Sequence, residues 1–314
     1  MDPIHVLVLA LLQGVAELFP ISSLGHTVIL PGLLGWNETL QSPQFLPLVV
    51  MLHLGTAVAL LTFYWRDWVK LLRGGVRVVV AGKFTPDVDP DGYGRQLALV
   101  VVGTIPAGLV GVLFQKTLQA NFSIPILAAA LLVANGAVLL TVERLWQAQR
   151  RKATAAKVQF AGIGGGYDVT AKRGLPPGEV GKTIDDVTFG QALLVGFAQV
   201  GALFPGFSRS GLTMAAGMGI GLSHEAAARL AFLMATPVIL GAALIELPQF
   251  AGAPNEFGIA LIGGVVAGVA AFLSVRFLTR YLETRRLDIF AYYCVIAGLL
   301  AFGYFFLKSM HILP

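Results

Sequence analysis

The chain has 314 residues, of which 56% are hydrophobic and only 12% charged, and its mean hydropathy is +0.77. A water-facing surface needs about a quarter of its residues charged, so a soluble globular protein is excluded, and the apolar content excludes a disordered chain. A single cysteine, Cys294, rules out an intramolecular disulfide or a cysteine metal cluster, and the net charge of +5 comes from basic residues with no interleaved stacking aromatics, which speaks for membrane topology and against nucleic acid as a partner.

In chain order, the first apolar stretch, 4–35, is broken by Pro20-Ile21-Ser22-Ser23-Leu24-Gly25-His26. Neither half is long enough to cross a hydrocarbon core of about 30 Å. The stretch has no basic n-region and carries Glu17, so it does not read as a cleavable signal. Spans are predicted near 45–64, 97–114 and 124–142. A polar stretch, 143–188, follows and reads as a cytoplasmic linker, with Gly162, Gly164, Gly165 and Gly166 suggesting flexibility. Within it Gly181-Lys182-Thr183 matches the end of a P-loop, but Pro176 stands where that motif needs its first glycine and no apolar strand precedes it, so an ordinary connection is the better reading. A second broken stretch, 189–222, is interrupted by Pro205-Gly206-Phe207-Ser208-Arg209-Ser210-Gly211. Three more spans are predicted near 226–247, 258–278 and 289–307.

The connections sort by charge. The stretch 65–96 carries Arg66, Lys70, Arg73, Arg77, Lys83 and Arg95, the stretch 143–188 is equally basic, and Arg280, Arg285 and Arg286 follow the fifth span. The connections 36–44, 115–123 and 248–257 have only Lys116. The basic loops are therefore expected on the cytoplasmic side. With that assignment the first broken stretch must begin and end outside and the second inside, so each becomes a re-entrant hairpin followed by three spans. The expected fold is an all-α integral membrane protein with six transmembrane helices plus two re-entrant helical hairpins in an inverted-topology repeat. Residues 1–142 form the first repeat and 189–314 the second. Glu17-Leu18-Phe19-Pro20 before Ser22-Ser23-Leu24-Gly25 echoes Ala202-Leu203-Phe204-Pro205 before Ser208-Arg209-Ser210-Gly211. Such repeats place a binding site near the bilayer midplane.

Ionisable groups inside the membrane are costly and mark function. Glu17 follows Gln13 by one helical turn, which puts both side chains on one face; together they offer hard oxygen ligands to Mg²⁺ or Ca²⁺, or a base for a water. Ser23 and His26 lie three residues apart across a turn, where hydroxyl and imidazole can converge on one atom as nucleophile and proton-transfer group, whereas Ser22 fits a helix cap. Arg209 is a planar donor fork suited to phosphate, with pairing to a carboxylate such as Glu17 as the structural alternative. Gly206 and Gly211 let the backbone approach a ligand, and the half-helix starting there aims its amides at the same place. Carboxylate, serine, histidine and arginine in one pocket read as phosphoryl transfer on a lipid phosphate or diphosphate.

The other polar groups carry less weight. His53 and Asn135 read as helix-packing donors, Ser223, His224 and Glu225 as a cap and first turn, and Glu225 with Arg229 as an intrahelical pair. Glu246 and Glu256 are expected at the outer interface and Arg276 at the inner one.

Gln13-Gly14-Val15-Ala16-Glu17 followed by Pro20-Ile21-Ser22-Ser23-Leu24-Gly25-His26 resembles the first motif of the bacterial undecaprenyl-diphosphate phosphatase family, the bacitracin-resistance type, and Pro205-Gly206-Phe207-Ser208-Arg209-Ser210-Gly211 resembles its second. The resemblance in span layout covers essentially the whole chain. It implies a hydrolase of the bacterial plasma membrane, open to the outer face, that removes the terminal phosphate of undecaprenyl diphosphate. That reaction recycles the lipid carrier for peptidoglycan synthesis. It also implies a divalent cation, a polyprenyl diphosphate substrate and a tendency to form homodimers. Gln13 and Glu17 take the cation- or water-handling positions, and Glu17, Ser23, His26 and Arg209 the catalytic ones. Ser22, Gly25, Gly206, Ser208, Arg209, Ser210 and Gly211 form the phosphate-binding set. The first motif position is Gln, so a mechanism with two carboxylates is not expected. Either Ser23 or His26 attacks, with the other moving the proton, or water attacks directly. A polyprenyl-phosphate flippase built on the same repeat is the rival reading, which has no need of Ser23 and His26. An ion channel is a weaker one.

Overall fold

The computed structural model describes residues 1–117, 122–163, 181–251 and 253–312. Among them there is no strand beyond one isolated bridge, and the chain is helical nearly throughout. Gly164, Gly165, Gly166 and Pro176 lie outside the described residues.

The first stretch forms α1 (Pro3–Ala16) and α2 (Ser23–Leu34). Asp2 caps α1 with Pro3 in the first turn, where a missing N–H costs nothing. Gly35 ends α2 in the left-handed conformation. A short α3 (Asn37–Gln41) then turns the chain back onto the start of α1, where His5 stacks on Trp36 at 3.8 Å and its Nδ1 lies 2.8 Å from Thr39 Oγ1. The second stretch repeats this arrangement with α8 (Phe189–Val200) and α9 (Arg209–Gly219). Thr188 and Gln191 form a capping box at α8, and Ser208 caps α9. Here too entry and exit adjoin, since Lys182 N donates to Gly221 O at 2.8 Å and Ser223 N to Lys182 O at 3.2 Å. Gly181-Lys182-Thr183 belongs to this connection and runs into a 3₁₀ turn at Ile184–Asp186.

Among the described residues six helices are long and apolar enough to cross a membrane. They are α4 (Phe45–Phe63), α6 (Tyr93–Leu113), α7 (Pro125–Ile163), α10 (His224–Glu246), α11 (Pro254–Thr284) and α12 (Asp288–Ser309). The number matches the sequence expectation. Two stretches differ most from it. The stretch 65–96 contains a 17-residue helix, α5 (Trp65–Ala81), where only a basic connection was expected. The span expected to end at 142 continues to Ile163, so the first part of the expected linker is helix.

Lipid is as apolar as leucine, so these helices gain from close packing at small residues more than from burial. α4 packs on α11 with Gly55 against Gly264, and α6 on α8 with Gly103 against Gly196. α7 packs on α12 through Gly136 and Gly298. The packing crosses between the two halves of the chain: α1 lies on α11, and α8 lies on α6.

At one end of the bundle Ser223 caps α10 as expected, and His224 Nε2 lies 2.7 Å from the fully buried Glu143 Oε2. Arg229 does not pair with Glu225. It reaches across to Asp67 on α5 at 3.0 Å, because the tertiary partner sits nearer the guanidinium than the residue one turn back.

Candidate active site

The breaks in the two helix pairs meet in the interior. Ser22 holds them together. It has a left-handed backbone (φ 65°), a costly conformation for a residue with a side chain. From there its Oγ donates to Phe207 O at 3.0 Å and accepts from Gly25 N at 3.0 Å and Gly206 N at 3.2 Å. A Cβ on Gly25 would lie 3.0 Å from the Cα of Gly206, and one on Gly206, where φ is +109°, would lie 2.3 Å from the carbonyl oxygen of Ala128 on α7, so glycine suits both places. Asn135 on α7 completes the crossing, donating to Pro20 O at 3.0 Å and accepting from Ser208 N at 3.0 Å. Its expected role as a packing donor is thus realised at a specific place.

Glu17 lies beneath this crossing and is 6% exposed. Its Oε1 accepts from Arg209 Nη2, and its Oε2 from Gln13 Nε2 at 2.7 Å and from Ser23 Oγ. Arg209, the first residue of α9, also donates through Nη1 to Ala235 O at 2.9 Å. The pairing with Glu17 weighed as the alternative for Arg209 is therefore present, and it brings the guanidinium to the same point as the serine. His53 from α4 is the fourth partner, with Nε2 3.1 Å from Glu17 Oε2 and Nδ1 2.7 Å from Val49 O. Both ring nitrogens thus lie within hydrogen-bond distance of an oxygen, one on its own helix and one on Glu17. His53 was expected to be a packing donor, and one ring nitrogen does serve the helix. The other makes it a member of the site.

These groups open onto a cavity of about 300 Å³. Glu17, Ser22, Ser23, His53, Ser208 and Arg209 form its polar end, and apolar side chains of α4, α6 and α10, such as Val49, Ala107 and Ile239, form most of the remainder. At the far end stand Gln115 and Glu246, the latter 6% exposed and held by Gln115 Nε2 at 3.0 Å and by Gln249. Glu246 was expected at an interface where charge is cheap. Its side chain is buried in the cavity wall, where amide donors offset the cost of burying it.

Several expected site residues do not face the cavity. His26 and Ser23 do not meet: His26 Nδ1 lies 2.7 Å from Ser22 O and Nε2 2.7 Å from Tyr293 Oη, with the two rings stacked at 5.6 Å. The Ser22 carbonyl fixes the proton on Nδ1 and turns the ring toward α12. Ser208 and Ser210 share a hydrogen bond of 3.0 Å, and Ser210 Oγ donates toward the carbonyls of Phe19 at 3.1 Å and Glu17 at 3.3 Å. Ser208 Oγ also accepts from Gly211 N at 3.0 Å as the α9 cap. The two hydroxyls expected to clamp phosphate are thus bonded to the protein, and of the pair Ser208 alone lines the cavity. Gly25, Gly206 and Gly211 likewise serve the crossing and the cap, and lie off the cavity wall.

Among the described residues no group of three or more His, Cys, Asp or Glu side chains could hold a metal by itself. Gln13 Oε1 is buried without a partner, next to the Glu17 carboxylate that Gln13 Nε2 contacts. One carboxylate, one free amide oxygen and one hydroxyl fit a hard cation that completes its shell with oxygens of a bound phosphate.

A polytopic all-helical membrane protein with a buried carboxylate–serine–arginine centre at the end of an apolar cavity is the class that this geometry defines. The family model for the bacitracin resistance protein BacA matches residues 6–300, and the chain belongs to that family. Among its relatives are an undecaprenyl-diphosphatase of Acidiphilium cryptum (strain JF-5), 44% identical over 96% of this chain and 97% of the relative, and undecaprenyl-diphosphatase 1 of Burkholderia pseudomallei (strain K96243), 42% identical over 95% of both chains.

Proposed function

We propose that this protein hydrolyses undecaprenyl diphosphate to undecaprenyl phosphate and inorganic phosphate, recycling the lipid carrier for peptidoglycan synthesis and so conferring resistance to bacitracin. One observation carries the mechanism: Ser23 Oγ donates to a buried carboxylate, Glu17, that also faces the Arg209 guanidinium, at the polar end of an otherwise apolar cavity. A carrier has no need of a serine held on a base.

The prenyl chain takes the apolar wall and the diphosphate the polar end. Arg209 transfers donors from Glu17 to the terminal phosphate, which neutralises charge there. Ser23 Oγ attacks the terminal phosphorus while its proton passes to Glu17. The bond from that phosphorus to the bridging oxygen breaks, and undecaprenyl phosphate leaves with the electron pair. Water then attacks the phosphoserine, the Oγ–P bond breaks, the proton on Glu17 returns to Oγ, and both protons of the water leave with inorganic phosphate. A magnesium or calcium ion would be held by Glu17, Gln13 Oε1 and phosphate oxygens, and supplies further charge neutralisation when bound. His26 has no contact with Ser23 and acts on this path only through Ser22 and Tyr293.

The two broken stretches are read as re-entrant hairpins of an inverted repeat, residues 1–142 and 189–314, in the bacterial plasma membrane with the site open to the outer face. Helices of 14, 12, 12 and 11 residues support this reading, because at about 1.5 Å per residue none reaches 30 Å. The adjoining entry and exit of each pair and the exchanged packing of α1 on α11 and α8 on α6 support it further. Homodimer formation rests on the family resemblance alone.

The test is phosphate release from undecaprenyl diphosphate by purified protein with and without a chelator. Ser23→Ala and Arg209→Ala are each expected to lower kcat by about 10³-fold and leave the protein extractable and monodisperse. Release at near wild-type rates by either variant would remove it from the mechanism, and no release by the wild-type protein would overturn the function.

A further inference from the structure

α5 has three faces. At about 100° per residue, Leu71, Gly74, Gly75 and Val78 fall together; they are buried against α6, where a Cβ on Gly74 would meet the backbone of Tyr93 and Gly94. Trp65, Val69, Leu72, Val76, Val79 and Val80 recur at helical spacing on a second face and are all exposed, Val79 and Val80 by 80% and 83%. Arg66, Lys70, Arg73 and Arg77 recur at the same spacing one residue further on, and make up an exposed third face.

The cations of that face are only lightly engaged by the protein. Among the described residues Arg66 and Arg73 meet no carboxylate; Arg66 lies over the Trp65 ring. Arg77 approaches Asp91 at 3.9 Å, and Lys70 leans on Tyr93. The helix follows α4, a membrane span, with only Tyr64 between them. Its apolar row is therefore continuous with a surface already in contact with lipid, and its cationic row lies beside it at headgroup level. An acidic protein partner would account for the cations and would leave the apolar row unexplained. An apolar row flanked by a cationic row is what a helix lying in the membrane surface requires.

We infer that α5 is a binding surface for anionic phospholipid, with its apolar row among the acyl chains and Arg66, Lys70, Arg73 and Arg77 on the headgroup phosphates. Full-length protein is reconstituted in vesicles of phosphatidylcholine and phosphatidylglycerol in equal parts, released gently, and its retained lipids are counted by native mass spectrometry. The wild-type protein retains phosphatidylglycerol in excess. Arg66→Gln/Arg73→Gln lowers that excess about fivefold or more, the effect of at least one headgroup-facing cation, whereas Arg66→Lys/Arg73→Lys keeps it. A second arm uses the wild-type protein alone: the excess collapses on going from low salt to about 1 M, where the screening length is about 3 Å. Equal retention of both lipids by the wild-type protein, an excess that survives high salt, or an equal loss on Arg276→Gln/Arg280→Gln would overturn the inference. These readouts do not depend on phosphate release, so they stand or fall separately from the proposed activity.

Discussion

Glu17 accepts from four side chains, Arg209, Gln13, Ser23 and His53, and the number matters because a buried carboxylate is stable only when its lone pairs are answered. His53 stands on the span α4, whereas the other three stand on the short helices α1, α2 and α9. Replacing it with leucine removes the imidazole partner of Oε2 and leaves the buried carboxylate with one contact fewer. Hydrogen bonds to charged groups contribute about 1.5–3 kcal/mol, so His53→Leu is expected to lower kcat for phosphate release about 10- to 100-fold. His53→Gln, whose amide can still donate to Oε2, should lose less than tenfold. Equal rates for the two variants and the wild-type protein would show that His53 only packs. The histidine was not legible in the sequence, because a lone imidazole in an apolar span has the same signature whether it serves its own helix or a neighbour. Glu17, Ser23 and Arg209 were legible because each lies beside a proline–glycine break, where apolar sequence has no use for charge. His26 shows the limit of spacing arguments: three residues put it beside Ser23, but the Ser22 carbonyl and the Tyr293 hydroxyl decide where its ring points.

Among the elements, the six spans follow from length and hydropathy alone, although α7 and α11 run on past the ends expected at 142 and 278. α5 escaped because its mean composition is that of a loop; its helical period becomes visible only when three faces, buried, lipid-facing and cationic, are separated. How the elements seat on each other was also hidden, since contacts between small residues leave no trace in hydropathy. The pairing of α6 with α8 makes this concrete. A Cβ on Gly196 would lie 2.2 Å from the carbonyl oxygen of Gly103, which is backbone and has no rotamer by which to give way. Gly196→Ala must therefore part the two helices. Overpacking of this kind costs about 1–3 kcal/mol, to be read as a lower thermal midpoint of the purified protein in detergent. Gly190→Ala, on the same helix with open space around its Cβ position, should leave the midpoint unchanged or raise it slightly. Equal midpoints for the two variants would mean that α6 and α8 are not pressed together at Gly196.

For the whole molecule, the proposed inversion draws on two separate observations. The basic connections assign sides, and the contacts of His5 with Trp36 and Thr39, and of Lys182 with Gly221 and Ser223, bring the two mouths of each helix pair together. Neither observation uses the other, and both fit the proposed reading in which the chain enters and leaves the membrane on one face at each pair. Cysteine labelling in intact cells tests this directly. Cys294 is buried and can be replaced by alanine to give a blank background. Single cysteines at Asp2, Asn37 and Asn255 are expected to react with a membrane-impermeant maleimide from outside. Cysteines at Lys83 and Arg285, on the basic connections, should react only after the cells are opened. Thr183 bears most on the inversion, because the second pair must open to the opposite side from the first: a cysteine there should label with Lys83 and Arg285. If Asp2 and Asn37 label from opposite sides, α1 and α2 together cross the membrane and the first hairpin is not re-entrant. If Thr183 labels with Asn37, the two halves run in the same sense, and the meeting of Glu17 with Arg209 would have to arise without an inverted repeat.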